Sequence, residues 1–288
     1  MYGPILSVLL MGMIPVWGMQ QDEGRELLGE LHIAPPASVL TVTASERDAL
    51  GGLSASGIIV MDLDSAQTLF ERSADQARPM ASLTKLMTAL LIIENHDLSE
   101  WAKVPVDIAK VEGNKASLPA NAEVTVGDLL SALLVSSAND AAITLAIHHA
   151  GSEEAFVAEM NERARVLGLR ATSFENAAGF DAPNQKSSAR DLSFLALRVL
   201  RHPAITERMA VPRGSIFTRE GKELPLYHTH NLIHSRNSVV AGKTGTTEEA
   251  GECLLSIVEE GGRRYVVILL HSADRYADMN RVLQTLGD

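Results

Sequence analysis

The chain has 288 residues and is 46% hydrophobic, enough for one large domain with a well-buried core. Its formal net charge of −11 argues against nucleic acid as a partner and against charge-driven binding to an anionic membrane surface. The single cysteine, Cys253, cannot form an internal disulfide and reads as a strand residue in or near the core, so cysteine usage says nothing about the redox compartment.

Met1 to Met19 holds no charged side chain and is rich in Leu, Ile, Val and Met, which predicts engagement with a membrane. Residues 1–18 are expected to be either a cleaved signal peptide, although one without Lys or Arg, or a retained anchor. Both destinies place the protein in the periplasm or on the outer face of the cytoplasmic membrane. Residues 19–53, with Pro35-Pro36 and Gly51-Gly52, read as a spacer with little core, leaving 54–288 as the folded domain.

That domain opens with Gly57–Met61 and Thr68–Arg72, an antiparallel hairpin around Asp62–Ala66. The stretch Pro79–Ile93 is apolar on nearly every helical face and predicts a buried central helix, with Pro79 suited to its start. Ser82 and Lys85 stand three apart, so they share a face and the amine can reach the hydroxyl as a base reaches a nucleophile. Burial, the positive end of the helix and a second cation would lower the lysine pKa from its usual value of about 10.4 towards 7. The same two residues could instead be a capping serine and a snorkelling lysine.

Ser137-Ala138-Asn139 lies in a short turn between two apolar helical stretches. Ser137 suits relay of a proton between Lys85 and a leaving amine, and the Asn139 amide could orient Lys85 and bind a substrate carbonyl. Both residues would also serve as ordinary helix caps. Residues 82 to 210 read as mainly helical, including a helix begun by Ser188 with Asp191 as its capping box, and His148-His149 fit a helix end. His228, His230 and His234 have the best metal spacing, but no Cys, Asp or Glu completes a set, so no metal or other cofactor is expected.

Lys243-Thr244-Gly245 sets a cation and a hydroxyl on an otherwise apolar strand and follows them with a residue lacking a side chain. Lys243 and Thr244 suit a substrate's terminal carboxylate, and Gly245 admits an extended peptide. The backbone N–H groups of Thr246 and Ser82 would form an oxyanion hole. Glu252–Glu259 and Arg263–His271 flank Gly261-Gly262 as a second hairpin, and a helix from Asp274 to Leu286 closes the chain. Five strands in one antiparallel sheet, with helices and a helical insert, place the site at their junction.

The order Ser-x-x-Lys, Ser-x-Asn, Lys-Thr-Gly resembles that of the penicillin-recognising serine acyl-transferases. From about Ser56 to Leu286 the chain resembles the D-alanyl-D-alanine carboxypeptidases (S11 peptidase family) among the low-molecular-mass penicillin-binding proteins. Gly57–Asp62, Pro79–Ala89, Ser137–Ala142, Ser187–Leu192 and Arg275–Asp278 carry the likeness. It implies a mixed α/β fold, the serine β-lactamase/D,D-peptidase-like three-layer αβα sandwich with a five-stranded antiparallel sheet plus an all-helical subdomain. It also implies Ser82 as acyl-ester nucleophile, Lys85 as proton acceptor, Ser137 and Asn139 as second-motif residues and Lys243 as substrate-binding residue. Arg275 matches an arginine that helps hold the substrate carboxylate.

The activity implied is D-Ala-D-Ala carboxypeptidation of peptidoglycan stem peptides, with β-lactam antibiotics as inhibitors. A D,D-endopeptidase acting on cross-links would use the same site, and a penicillin-binding sensor would acylate without turning over. A class A β-lactamase fits less well, since Ala138 stands where an Asp is expected and no well-placed Glu-x-x-x-Asn loop is found. The departures from the family pattern are Ala138, usually Gly or another small residue, and Ala178 and Phe180 on either side of Gly179. Because the chain stops at Asp288, no C-terminal anchoring helix is expected.

Overall fold

A computed structural model describes residues 50–287, so the apolar segment 1–18 and most of the expected spacer lie outside the described residues. The backbone of the domain is one antiparallel sheet of β1 (Gly57–Asp62), β2 (Thr68–Arg72), β3 (Val239–Thr247), β4 (Gly251–Glu260) and β5 (Arg263–Ser272). The strands lie in the order β2-β1-β5-β4-β3, which pairs the first strand with the last at the centre and leaves β3 on an edge. Gly261 and Gly262 turn β4 into β5 with φ of 59° and 75°, the left-handed region that glycine enters without a Cβ penalty.

Alternation along the central strands buries both faces. Ile59 and Met61 of β1, with Val266, Ile268 and Leu270 of β5, face a large core shared with the helices. Ile58, Val60, Val267 and Leu269 face a smaller core under α7 (Arg275–Gly287), where Met279 and Val282 pack. Two covered faces give three layers, and successive side chains point to opposite sides of a strand, so β1, β4 and β5 each feed both cores. Leu50 and Leu53, placed in the spacer by sequence, are buried in the second core, so the packed domain reaches upstream of residue 54. Arg72 holds that stretch by donating to the carbonyls of Leu50, Gly51 and Leu53.

The insert between β2 and β3 carries α1 (Lys85–Asn95), α2 (Val126–Val135), α3 (Asn139–Ala150), α4 (Glu153–Val166), α5 (Ala189–Val199) and α6 (Pro203–Met209). The Ser188 side chain caps α5 by accepting from Asp191 N at 3.0 Å. α1 departs from expectation at its start. Pro79 belongs to a short strand, Arg78–Pro79, paired with Lys186–Ser187, and a 3₁₀ turn, Ala81–Thr84, intervenes before the helix proper. The reason is local: Ala81 takes φ 48°, outside the helical region. A hairpin of Arg213–Phe217 and Glu223–Tyr227, unassigned by sequence, closes the insert and returns the chain to the sheet. Among the described residues no helix is long and apolar enough to cross a membrane.

Candidate active site

The three motifs meet where α1, the turn before α3 and the edge strand β3 converge. They border an open cleft of about 410 Å³ lined by Ser82, Ser137, Asn139, Gly245 and Thr246. The 3₁₀ turn lifts Ser82 to the cleft, and the first residue of α1 sets Lys85 Nζ 2.9 Å from Ser82 Oγ. Lys85 is fully buried, and it donates also to Asn139 Oδ1 at 2.7 Å and to the carbonyl of Ala178. Burial brings its pKa down from 10.5 to about 7, against the pull of the nearby Asp140 carboxylate. An amine at that value next to a hydroxyl can hold or release a proton near neutral pH.

Asn139 is fixed at both ends of its amide, because Nδ2 donates to the Glu112 carbonyl at 2.7 Å while Oδ1 faces Lys85. Ser137 contacts a different lysine from the one expected. Lys243 Nζ donates to Ser137 Oγ at 2.6 Å and to the Thr244 carbonyl at 2.8 Å, and among the described residues no hydrogen bond joins Ser137 to Lys85. Ser137 holds this place with φ 55°, a left-handed conformation that costs a non-glycine residue roughly 1–2 kcal/mol. Lys243 is fully buried, and burial first, then the charges of Lys85 and Arg275, drive its pKa well below the usual lysine value.

β3 passes close beside the turn that carries Ser82. A Cβ on Gly245 would sit 2.9 Å from Ser82 N and 3.0 Å from the Met80 carbonyl, so the approach requires glycine. Thr244 Oγ1 donates to Thr229 Oγ1 at 2.6 Å, which turns its hydroxyl across the strand. Arg275 lies behind β3. Its guanidinium donates to the carbonyls of Gly245 (2.9 Å) and Cys253 (3.0 Å) and to Thr246 Oγ1. Its Nε stands 3.1 Å from Glu252 Oε2, near enough for charge attraction but off the line of a hydrogen bond. Thr246 thus stands between Arg275 and the cleft.

Some of the machinery is backbone that the motifs do not name. Thr88 Oγ1 donates to the Ala177 carbonyl at 2.8 Å, and with the Lys85 contact to Ala178 it fastens the loop 176–180 to α1. Gly179, with φ 92°, lies so close under Ala81 that a Cβ would fall 2.1 Å from the Ala81 carbonyl oxygen. The run of small residues Ala177-Ala178-Gly179 was the available signal for this approach. The Asp140 carboxylate accepts from the backbone of Ala116 and Leu118, both at 3.0 Å, and so anchors the segment that reaches the cleft at Gly113.

The histidines at 228–234 commit their ring nitrogens to the fold. His228 Nε2 faces the Met209 carbonyl at 3.0 Å, His230 Nε2 faces Ser256 Oγ at 2.8 Å, and His234 Nε2 faces the His228 carbonyl at 2.8 Å. Burial pushes His228 down to about 4 and His230 to about 3, so both rings are neutral at physiological pH.

With this geometry, the relatives are consistent. Among curated proteins the chain is 30% identical to the D-alanyl-D-alanine carboxypeptidase DacF of Bacillus subtilis, over 80% of this chain and 61% of that protein. It is 30% identical to a D-alanyl-D-alanine endopeptidase of Escherichia coli, over 89% of this chain and 84% of that protein. The chain therefore spans less than two thirds of the first relative but most of the second. Among solved structures, a putative penicillin-binding protein homolog from Mycobacterium tuberculosis superposes with TM-score 0.76 at 29% identity, over 81% of this chain and 90% of that one. The Streptomyces K15 DD-transpeptidase superposes with TM-score 0.76 at 25% identity, over 81% of this chain and 97% of that one. The profile of the S11 peptidases, described as D-alanyl-D-alanine carboxypeptidase, matches residues 41–273, and the chain belongs to that family.

Proposed function

We propose that this protein is a serine-type D-Ala-D-Ala carboxypeptidase that trims peptidoglycan stem peptides through an acyl-serine intermediate and is acylated by β-lactams at the same residue. The observation that carries the reading is the 2.9 Å contact between Ser82 Oγ and a buried Lys85 held near neutrality. Neutral Lys85 accepts the Ser82 proton as Oγ attacks the carbonyl carbon of the penultimate D-alanine. The oxyanion is met by the N–H groups of Ser82 and Thr246. As the C–N bond breaks, the proton passes from Lys85 to the departing amine, while Ser137 Oγ holds Lys243 Nζ beside the site. Water then hydrolyses the ester, with Lys85 as its base.

The substrate carboxylate is assigned to Lys243 and Thr244, with Arg275 acting through Thr246. The extended peptide lies along the edge strand β3, which the glycine at 245 lets pass close beside the Ser82 turn. A cleavage site in the cell wall implies export, to the periplasm or the outer face of the membrane, a reading supported by the uncharged stretch Met1 to Met19. A fluorescent penicillin should label the protein stoichiometrically, with the adduct on the Ser82 peptide. Labelling that survives Ser82→Ala undiminished would remove Ser82 from the role.

A second reading, D,D-endopeptidase, is favoured by the match to 84% of the E. coli endopeptidase's length. A cross-link also ends in a D-amino-acid carboxylate, so the same groups would bind it. Incubation with a stem pentapeptide and, separately, with a purified cross-linked dimer separates the two. Monomer released much faster than D-alanine would favour the endopeptidase and leave the site roles in place.

A further inference from the structure

Away from the cleft, four side chains line up end to end. Glu100 Oε2 lies 2.8 Å from His96 Nδ1, His96 Nε2 lies 2.8 Å from His149 Nδ1, and His149 Nε2 lies 2.8 Å from Glu159 Oε2. Three contacts of this length need three hydrogens. Two neutral imidazoles bring one N–H each, and the carboxylates at both ends only accept. The row is short of one positive charge. His148 Nε2 also approaches the same Glu100 oxygen, at 3.4 Å, so His96, Glu100 and His148 each offer a ligand atom within 4.8 Å of one another.

We propose that these three residues bind one divalent ion of the zinc class, with His96 Nδ1, a Glu100 oxygen and His148 Nε2 as ligands. The ion replaces the missing hydrogen at the Glu100–His96 contact. Each remaining contact then has its donor: His96 Nε2–H donates to His149 Nδ1, and His149 Nε2–H donates to Glu159. A ligating imidazole whose other nitrogen donates along such a row to a carboxylate is the usual outer arrangement of a histidine–metal site.

The spacing can be drawn onto a small ion. Bond lengths of about 2.0–2.2 Å at tetrahedral angles put ligand atoms roughly 3.4 Å apart. His148 and Glu100 already stand at 3.4 Å, the 2.8 Å His96–Glu100 pair opens, and the His96–His148 pair, within 4.8 Å, closes by side-chain rotation. Mixed imidazole and carboxylate ligands favour zinc and its first-row neighbours over calcium or magnesium. His96 and His149 side chains are only 14% and 10% exposed, whereas Glu100 is 40% exposed and leaves an entry path with room for water as a fourth ligand.

The position adds a second attraction. His96 ends α1, and His148 and His149 occupy the last turn of α3, so the negative ends of two helix dipoles meet at the cluster. The opposite ends of the same helices begin with Lys85 and Asn139. Helices of 11 and 12 residues separate metal and cleft by about 16–18 Å. The ion therefore clasps the far ends of the two helices that position the site and takes no part in acyl transfer.

The test is titration of untagged, chelator-stripped full-length protein with zinc chloride, followed by calorimetry and by thermal melting. One ion per chain should bind, and a hundredfold excess over Kd should raise the melting temperature by about 5–10 °C. His148→Ala and Glu100→Gln should remove both effects, and His149→Ala, which alters only the outer row, should weaken binding about 10–100-fold. Penicillin acylation at an unchanged rate, with and without zinc, shows that the variants are folded. Equal stoichiometry and affinity in wild type and His148→Ala, or no binding by wild type, overturns the proposal and leaves a shared proton as the cation of the row. Cobalt substitution supplies an independent readout: visible absorption of a tetrahedral ion that disappears in Glu100→Gln supports the site, and its persistence there contradicts it.

Discussion

Lys243 Nζ donates to Ser137 Oγ across 2.6 Å and so joins the edge strand β3 to the turn that opens α3. The serine accepts this contact from a left-handed backbone, φ 55°. Removing the hydroxyl and relieving the backbone are separable. Ser137→Ala loses the hydroxyl and keeps the strain, whereas Ser137→Gly loses both. Chemical denaturation should find Ser137→Gly more stable than Ser137→Ala by about 1 kcal/mol, with both slow to acylate. Equal stabilities would mean that the turn relaxes to ordinary φ when the Lys243 contact is gone.

Lys85 must be neutral to accept a proton, so acylation by penicillin should rise with pH through a midpoint near 7 and then level off. Lys85→Ala should lower the acylation rate about 10²–10⁴-fold with the fold retained. A rate independent of pH from 6 to 9 would assign the base elsewhere.

The same lysine burdens the fold. Its folded pKa, about 7, lies below the unfolded value of 10.5, so the unfolded chain binds more protons between those values and stability climbs as pH rises through that window. Lys85→Met removes this dependence. Its stability relative to wild type should be most favourable at pH 7 and below and decline towards pH 10.5, as followed by urea unfolding. A difference that does not change with pH would contradict the burial of a readily neutralised amine.

Arg275 approaches the cleft through Thr246 and holds the Gly245 carbonyl from behind. If it serves the substrate carboxylate, amidation of the substrate's C-terminus should harm the wild type far more than Arg275→Ala. Discrimination between acid and amide that is as strong in Arg275→Ala as in wild type makes the arginine a structural support of β3. Stability should fall by about 1–3 kcal/mol in either case, because two buried carbonyls lose their donor.

Gly245→Ala places a methyl group 2.9 Å from Ser82 N. β3 or the 3₁₀ turn has to shift by several tenths of an ångström, which displaces Ser82 from the partners it needs. Acylation should drop at least tenfold, while melting changes by a few degrees at most. Normal acylation by that variant would show that the cleft tolerates a wider gap at this point.

What could be read from sequence was chemistry that is local in the chain. Ser82 and Lys85 meet because residues three apart share a helix face, and the strands declare themselves through two-sided apolar runs ending at Gly261-Gly262. The partner of Ser137 was not legible, since Lys85 and Lys243 are equally lysines until the fold ranks their distances. Nor were the carbonyls of Ala178 and Glu112, because backbone contacts carry no residue signature. Pro79 misled because a proline suits a strand edge as well as a helix start. The hairpin 213–227 carries an alternation that a proline, Pro225, interrupts. His96 and His149 are 53 residues apart and are brought together only by the parallel course of α1 and α3.

The most direct test is free D-alanine release from a stem pentapeptide by wild type, Ser82→Ala and Lys85→Ala, measured beside intact-protein mass spectra. Multiple turnovers by wild type are expected, with none above background for Ser82→Ala and a rate reduced at least a hundredfold for Lys85→Ala. Turnover that persists in Ser82→Ala would contradict the nucleophile, and a wild-type acyl-enzyme that accumulates without releasing D-alanine beyond one equivalent would make the protein a sensor instead of a peptidase.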